Sequence, residues 1–365
     1  MSPTAPVVLL TGAGGSAGAN FLDALRRSDV PYRVIGADAA AIRLHLSTAD
    51  ERCVLPRASD PGYADGLRWA VKRWGADVVH AQPDVEVMAL GRLRDEIGAV
   101  TFLPTQAALE TAEDKSAFAR AMSDAGVQVP ESRGFVNWPS VREATADLLT
   151  RHERVWVRAR VGAGARASLP VRRAEQAENW LRWWTAEQGL APSDFMAAEM
   201  LPGREFAYQS IWRNGQMLAG QARERVEYLY GHLTPHGQTS TPAIARTVSI
   251  PELDRLAIAA VRALDPEPSG VFCIDIKEAA DGQAKVTEIN AGRFFTTSNF
   301  FAAAGLNMPD MLVRCALGQE VEAAGASPLP AGLYWVRMVD MGFALVPEDE
   351  LDRWPHVLDD LDGPS

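Results

Sequence analysis

The sequence predicts an α/β unit with a parallel, Rossmann-like sheet at the N-terminus, followed by α+β units with antiparallel sheets. Three observations carry this expectation. The opening "VVLLTGAGGSAGANFLDALRR" joins a continuous apolar run to a glycine turn and an amphipathic stretch, and "YRVIGAD" and "ADVVHAQP" repeat the apolar run. Strands covered by helices on both faces read as such runs. Further on, "RVWVRARVGAGARASLPVRR" sets β-rich runs on either side of a glycine-rich turn, which is a hairpin signature. Finally, "EFAYQSIWRNGQMLAGQARERV" centres on Asn214-Gly215, a pair that favours the two-residue hairpin turn.

The elements follow in order. "AGANFLDALRRS" is a helix after the first strand, and "YADGLRWAVKRWG" is the helix between the second and third apolar runs. Helices run together in "FLPTQAALETAEDKSAFARAMSDAG", where a domain boundary falls. A tryptophan-bearing helix, "AENWLRWWTAEQG", places Trp180, Trp183 and Trp184 at helical spacing, a pattern of core packing, and the strand "DFMAAEML" follows it. After the hairpin, "RERVEYLYGHLTPHGQTS" reads as a polar loop carrying Arg223, Arg225, His232 and His236. Then come the helix "ELDRLAIAAVRALD", the strands "GVFCIDIKEA" and "AKVTEINAG" joined by "ADGQ", and a last strand "LYWVRMV" beyond "SPLPAG".

Composition narrows the classes of function. The chain of 365 residues is 47% apolar and 23% charged, the balance of a soluble globular protein. A net charge of -11 argues against a general affinity for nucleic acid or an anionic membrane. Cys53, Cys273 and Cys315 show no paired spacing, so neither a zinc site nor a disulfide framework is indicated, and a reducing cytoplasm is the expected setting. No basic n-region precedes the first apolar run, and no apolar stretch is long enough to cross a membrane.

The densest chemistry lies in "VFCIDIKEAADGQAKVTEINAGR". Glu288 and Asn290 are two apart on one strand and share a face, and the turn at Asp281-Gly282 brings Asp275 beside them. Two carboxylates and an amide oxygen form a hard ligand set suited to Mg²⁺, with Mn²⁺ also accommodated, and Arg293 follows where it can meet a phosphate. Gly12, Gly14, Gly15 and Gly18 in the first turn, with Asp38 ending the next strand, equally suit a dinucleotide. A nicotinamide-dependent reductase or epimerase would need a Tyr-x-x-x-Lys pair, however, and Tyr63, Tyr208 and Tyr228 lack the lysine. Asp84 and Glu86 follow a strand C-terminus, so Glu86 is a candidate acceptor-site residue, while the lone His80 reads as structural.

The stretch ending in Arg293 resembles the metal-binding end of the ATP-grasp superfamily, and other segments match in the same order. "AEDKSAFARAMSDAGVQVPES" resembles the helix leading into the central domain. "VWVRARVGAGARAS" resembles the basic strand and its glycine loop, and "FMAAEMLPGREFAYQSIW" resembles the hinge strand with its acidic pattern. The resemblance covers about residues 100–320, and the preceding part is similar to the pre-ATP-grasp domain of carbamoyl-phosphate-synthase-like members. It implies a pre-ATP-grasp domain at 1–110, a small lobe with a glycine-rich lid at 111–202, a large lobe with the metal site at 203–325, and a C-terminal extension at 326–365.

By the same resemblance, Lys115 and Arg158 contact the nucleotide phosphates, and Gly162 and Gly164 let a loop fold over them. Glu199, Met200 and Leu201 form the adenine hinge, Glu205 accepts the ribose hydroxyls, and Asp275, Glu288 and Asn290 hold metal. Arg158, Lys115 and Arg293 neutralise the transferring phosphoryl group. Gly14, Gly15, Glu86, Arg223, Arg225 and Arg293 face the acceptor substrate. Ala159 and Ala291 stand where the family commonly has proline. The implied activity is an ATP- and Mg²⁺-dependent ligase that activates a carboxylate as an acylphosphate and joins it to an amine or other nucleophile. A homodimer is compatible with it. The alternatives are a small-molecule kinase, a nicotinamide enzyme and a ligand-sensing binding protein.

Overall fold

In a computed structural model of the chain, residues 5–161, 167–234, 237, 239, 241–338 and 353–357 are described. The N-terminal unit alternates β1 (Val7–Thr11), α1 (Ser16–Arg26), β2 (Arg33–Asp38), α2 (Ala41–Leu44), β3 (Glu51–Val54), α3 (Tyr63–Trp74), β4 (Val78–Ala81) and α4 (Asp84–Leu93). The strands form a parallel sheet in the order β3-β2-β1-β4. Val8, Leu9 and Leu10 of the central strand are fully buried, as the apolar run requires. Strand β3, "ERCV", gave no signal of its own in the sequence: only Cys53 and Val54 are buried, and the half-buried Glu51 and Arg52 hide the edge strand. Gly12 opens the turn with φ +67, and a Cβ there would sit 2.6 Å from Pro83, so this position demands glycine.

Two helices, α5 (Gln106–Glu113) and α6 (Lys115–Asp124), lead into the second unit. Asp114 caps α6, its carboxylate accepting from the N–H groups of Ser116 and Ala117. The small lobe comprises β5 (Ser132–Gly134), α7 (Trp138–Leu149), β6 (Val155–Ala159), β7 (Leu169–Val171), α8 (Ala174–Gln188) and β8 (Phe195–Glu199). Its antiparallel sheet, β5-β8-β6-β7, packs on a separate core of Phe135, Val141, Val157, Leu181 and Phe195. Trp180 and Trp184 pack against that core, whereas Trp183 is 49% exposed. The β6–β7 hairpin forms as the sequence predicts, while Gly162 and Gly164 lie outside the described residues.

The large lobe contains β9 (Glu205–Arg213), β10 (Gln216–Tyr228), β11 (Pro242–Val248), α9 (Pro251–Leu264), β12 (Gly270–Glu278), β13 (Ala284–Ala291), α10 (Ser298–Ala303), α11 (Met308–Ala316), β14 (Gly325–Ala326) and β15 (Tyr334–Val336). Its sheet runs β13-β12-β9-β10-β11-β15, with β14 beside β10. Asn214 and Gly215 take φ 49 and 78 at the β9–β10 turn, the left-handed pair that this hairpin requires. The expected polar loop does not begin at Arg223: β10 continues to Tyr228, and charged side chains on its inner face masked the strand pattern. His232 follows in a short exposed turn, and His236 lies outside the described residues. Past the large lobe, Val54 N–H donates to the Pro355 carbonyl and Val357 packs in the N-terminal core, so residues 353–357 lie along β3.

The N-terminal unit and the large lobe share apolar clusters. Phe21 stacks on His80 at 4.5 Å, and Phe294 lies 5.9 Å from Phe21. Ser28 and Tyr32 hydroxyls donate to Asp310, and Asn307 donates to the Ala24 carbonyl. Replacing the fully buried Phe294 by alanine should therefore cost about 3–5 kcal/mol of stability in urea denaturation, through lost burial and the cavity left at this junction.

Candidate functional site

Small and large lobes enclose a cavity of ≈ 270 Å³. Its floor is the inner face of the large-lobe sheet, where the register puts Glu288 opposite Asp275, Asp275 opposite Ala207, and Ala207 opposite Arg223. The next row holds Arg225, Glu205 and Lys277. Its roof comes from the small lobe, through Trp156 and Arg158 of β6 and Glu199, Met200 and Leu201 at the end of β8. Lys115, at the first turn of α6, closes one side, with Arg293, Phe295 and Thr296 beyond it.

The two carboxylates are the electrostatic centre. Asp275 is held by Arg225 on one oxygen and accepts from the Asn290 amide at 3.3 Å on the other. Glu288 lies 3.9 Å from the Lys115 ammonium. Burial and the Glu288 charge push the Asp275 carboxyl up, against the pull of Arg225. Burial acts on Glu288 too, but Lys115, Arg158 and Arg293 outweigh it and hold its carboxyl down. Two converging carboxylates surrounded by cations suit a divalent ion that keeps water or phosphate oxygens as its remaining ligands. Among the described residues no three His, Cys, Asp or Glu side chains gather around one point. Asn290, expected as a third ligand, accepts from Arg293 on its oxygen at 2.6 Å.

A β-bulge sharpens the geometry. Asp275 pairs with Glu288 but Ile276 pairs with Val286, which leaves Thr287 out of the ladder. The Thr287 carbonyl thereby accepts from Arg158 at 3.3 Å, joining the two lobes. At the hinge, Glu199 holds Lys285 of the large lobe at 2.6 Å, and its next residues, Met200 and Leu201, line the cavity. Glu205 accepts from Lys277 and from the Tyr228 hydroxyl. Arg293 makes an ion pair with Asp84 at the start of α4, which ties the end of β13 to the N-terminal unit. Lys277, Lys285, Tyr228 and Asp84 were not singled out as partners by sequence, because each pair joins residues distant in the chain.

The glycine turn stands apart from this cavity: Gly14, Gly15 and Glu86 do not line it. The Gly14 and Ala40 N–H groups donate to the Asp38 carboxylate, so the acid that would bind a ribose in a dinucleotide enzyme is occupied by its own turn. Gly15 is the N-cap of α1. Glu86 is 6% exposed, and burial foremost pushes its carboxyl up to about 7. His80 is buried against Phe21, its imidazole pulled down to about 3 by desolvation, in keeping with a structural role.

No protein-family model and no curated protein matches the chain in sequence. Solved structures match in fold. The L-amino acid ligase of Bacillus licheniformis superposes with a TM-score of 0.64 at 16% identity, over 87% of this chain and 75% of its own. The biotin carboxylase of Campylobacter jejuni gives 0.68 at 15% identity, over 90% and 74%. The N5-carboxyaminoimidazole synthase of Aspergillus clavatus gives 0.65 at 18% identity, over 87% and 78%. The architecture expected from the sequence is thus present: a Rossmann-like domain followed by a two-lobed ATP-grasp fold.

Glu86 provides a test of the buried acid. Its folded-state pKa of about 7 lies above the ordinary 4.5, so its protonated form supports folding, and that support is lost as pH rises from 4.5 through 7. The full shift corresponds to on the order of 3 kcal/mol. The uncharged Glu86→Gln variant should gain stability relative to the parent between pH 5 and pH 8, by up to that amount, in urea titrations at each pH.

Proposed function

We propose that this chain, with its ATP-grasp fold, is an ATP-dependent ligase that activates a small-molecule carboxylate and joins it to an amine or another nucleophile. The observation that carries the reading is the convergence, in one cleft between two lobes, of the Asp275–Glu288 pair with Lys115, Arg158 and Arg293. The fold is shared with an L-amino acid ligase, with a biotin carboxylase crystallised as a β,γ-ATP complex, and with a carboxylase domain crystallised with MgADP and bicarbonate. Free and buried cysteines fit a reducing cytoplasm, and no described helix is long and apolar enough to cross a membrane.

Adenine would lie against Met200 and Leu201, whose backbone follows the last paired residue of β8, with Glu205 at the ribose. Asp275 and Glu288 would hold Mg²⁺, which when bound supplies charge neutralisation and alignment of the phosphate oxygens. Lys115 and Arg158 would face the transferring phosphoryl group, and Arg293, already oriented by Asp84, would stand at the boundary with the acceptor. The chain needs no nucleophile of its own. The substrate carboxylate attacks the terminal phosphorus, ADP departs, and the second nucleophile then displaces phosphate from the acylphosphate. What the protein contributes is position and preorganised charge.

Three outcomes are expected. Mg²⁺-ATP should raise the melting temperature while NAD and NADP do not. In Glu288→Gln, turnover should fall by at least about 100-fold with the fold retained by circular dichroism, because one of two metal-holding charges is gone. Stabilisation by NAD alone, or near-parental turnover in the variant, would remove this reading. Once pooled amino and carboxylic acids have yielded a substrate by ADP release, ³¹P NMR should show inorganic phosphate and ADP in equal amounts. A stable phosphorylated product without free phosphate would make the protein a kinase.

A further inference from the structure

Among the cations of this cavity, Arg223 differs in what surrounds it. Its side chain is 1% exposed, and Nε and Nη1 have no hydrogen-bond partner among the described residues. The other arginines are engaged: Arg225 with Asp275, Arg293 with Asp84, and Arg158 with the Thr287 carbonyl. The nearest charges make the isolation of Arg223 sharper, since Arg225 and Arg337 carry the same sign and Asp275 is shared between Arg225 and Asn290. Burial, followed by the Arg225 charge, pulls the guanidinium down to about 9, so it remains a cation at neutral pH. The rings of Phe295 and Phe301 flank it at 5.0 and 5.3 Å and fix the plane of its fork. A buried charge without a counter-ion lowers stability, and cavities retain such groups where a ligand supplies the missing partner.

We propose that Arg223 is a specificity-determining residue that holds a substrate carboxylate at the β10 side of the cavity. This rests on the ligase reading and adds to it the class of substrate. Position separates this anion from the phosphates of ATP. Lys115 and Arg158 approach Glu288 and Thr287 on β13, whereas Arg223 stands at the other end of the row Glu288, Asp275, Ala207, Arg223, three strands away. Neighbouring strands lie about 4.8 Å apart. Between the acidic pair and the guanidinium the row holds only the small side chain of Ala207. A guanidinium fork engages both oxygens of a carboxylate, so the group held here is not the one that attacks phosphorus. The substrates therefore include a molecule with an additional carboxylate, either a dicarboxylate or an amino acid.

The test uses the full chain, succinate, L-alanine and L-glutamate as probes, and succinamide and L-alaninamide as controls. Melting shifts and calorimetric affinities are measured with and without Mg²⁺ and a hydrolysis-resistant ATP analogue. At least one carboxylate probe should bind the parent more tightly than the amides do. That affinity should fall at least 10-fold in Arg223→Met and partly recover in Arg223→Lys, while affinity for the nucleotide analogue stays within twofold. Without ligand, Arg223→Met should melt no lower than the parent, because an unpaired buried charge has been removed, whereas a purely structural arginine would lower it. Undiminished carboxylate binding in Arg223→Met, no carboxylate binding to the parent, or a loss confined to the nucleotide would each overturn the proposal. Failure of the parent to bind the nucleotide analogue would overturn the ligase reading as well, and the nucleotide-free titrations would report on Arg223 separately.

Discussion

The structure is organised around a repulsion: Asp275 and Glu288 point into one cavity from directly opposite positions of an antiparallel pair. Two carboxylates that close, away from bulk water, cannot both stay ionised without compensation. Each surrounding element sends a cation toward them: Arg225 from β10, Lys115 from the start of α6, Arg158 from the small lobe and Arg293 from the end of β13. The asymmetry of that supply separates the pair. Lys115 and Arg158 hold Glu288 down, while Asp275, with only Arg225 close by, is pushed up.

The way the units are joined follows the same logic. The N-terminal unit and the large lobe share two apolar clusters and the Phe21–His80–Phe294 stack, contacts that do not exchange for ligand. The small lobe has its own core and meets the large lobe at the cleft through Arg158–Thr287 and Glu199–Lys285. Polar contacts at a domain interface are compatible with relative motion. Arg293 makes the connection in the other direction: by pairing with Asp84 it fixes the end of β13 to the mouth of the parallel sheet.

The glycine turn shows how one local pattern serves two ends. Its glycines are demanded by contact: Gly12 by the proximity of Pro83, and Gly18 by the Gly12 carbonyl, which a Cβ would meet at 2.4 Å. Asp38 then accepts from the Gly14 N–H of the turn and from Ala40 beside it. The same letters would appear in a nicotinamide enzyme, and only the hydrogen bonds reveal that here the acid is already used.

By itself the sequence determined what depends on near neighbours. The apolar runs specified a parallel sheet, Asn214-Gly215 and Asp281-Gly282 specified hairpins, and the period of two placed Glu288 and Asn290 on one face with Asp275 across the turn. Those signals are local because side-chain direction along a strand and the backbone of a tight turn are set within a few residues. Only the tertiary structure decided which partner each charge takes. Arg225 reaches Asp275 across 50 positions and Arg293 reaches Asp84 across 209, β10 absorbs a stretch whose charges read as a loop, and the Asn290 oxygen turns to Arg293. Electrostatic partnership depends on distance and burial in the folded chain, which residue spacing does not encode, and so the same arginines could be named from the sequence while their separate roles could not.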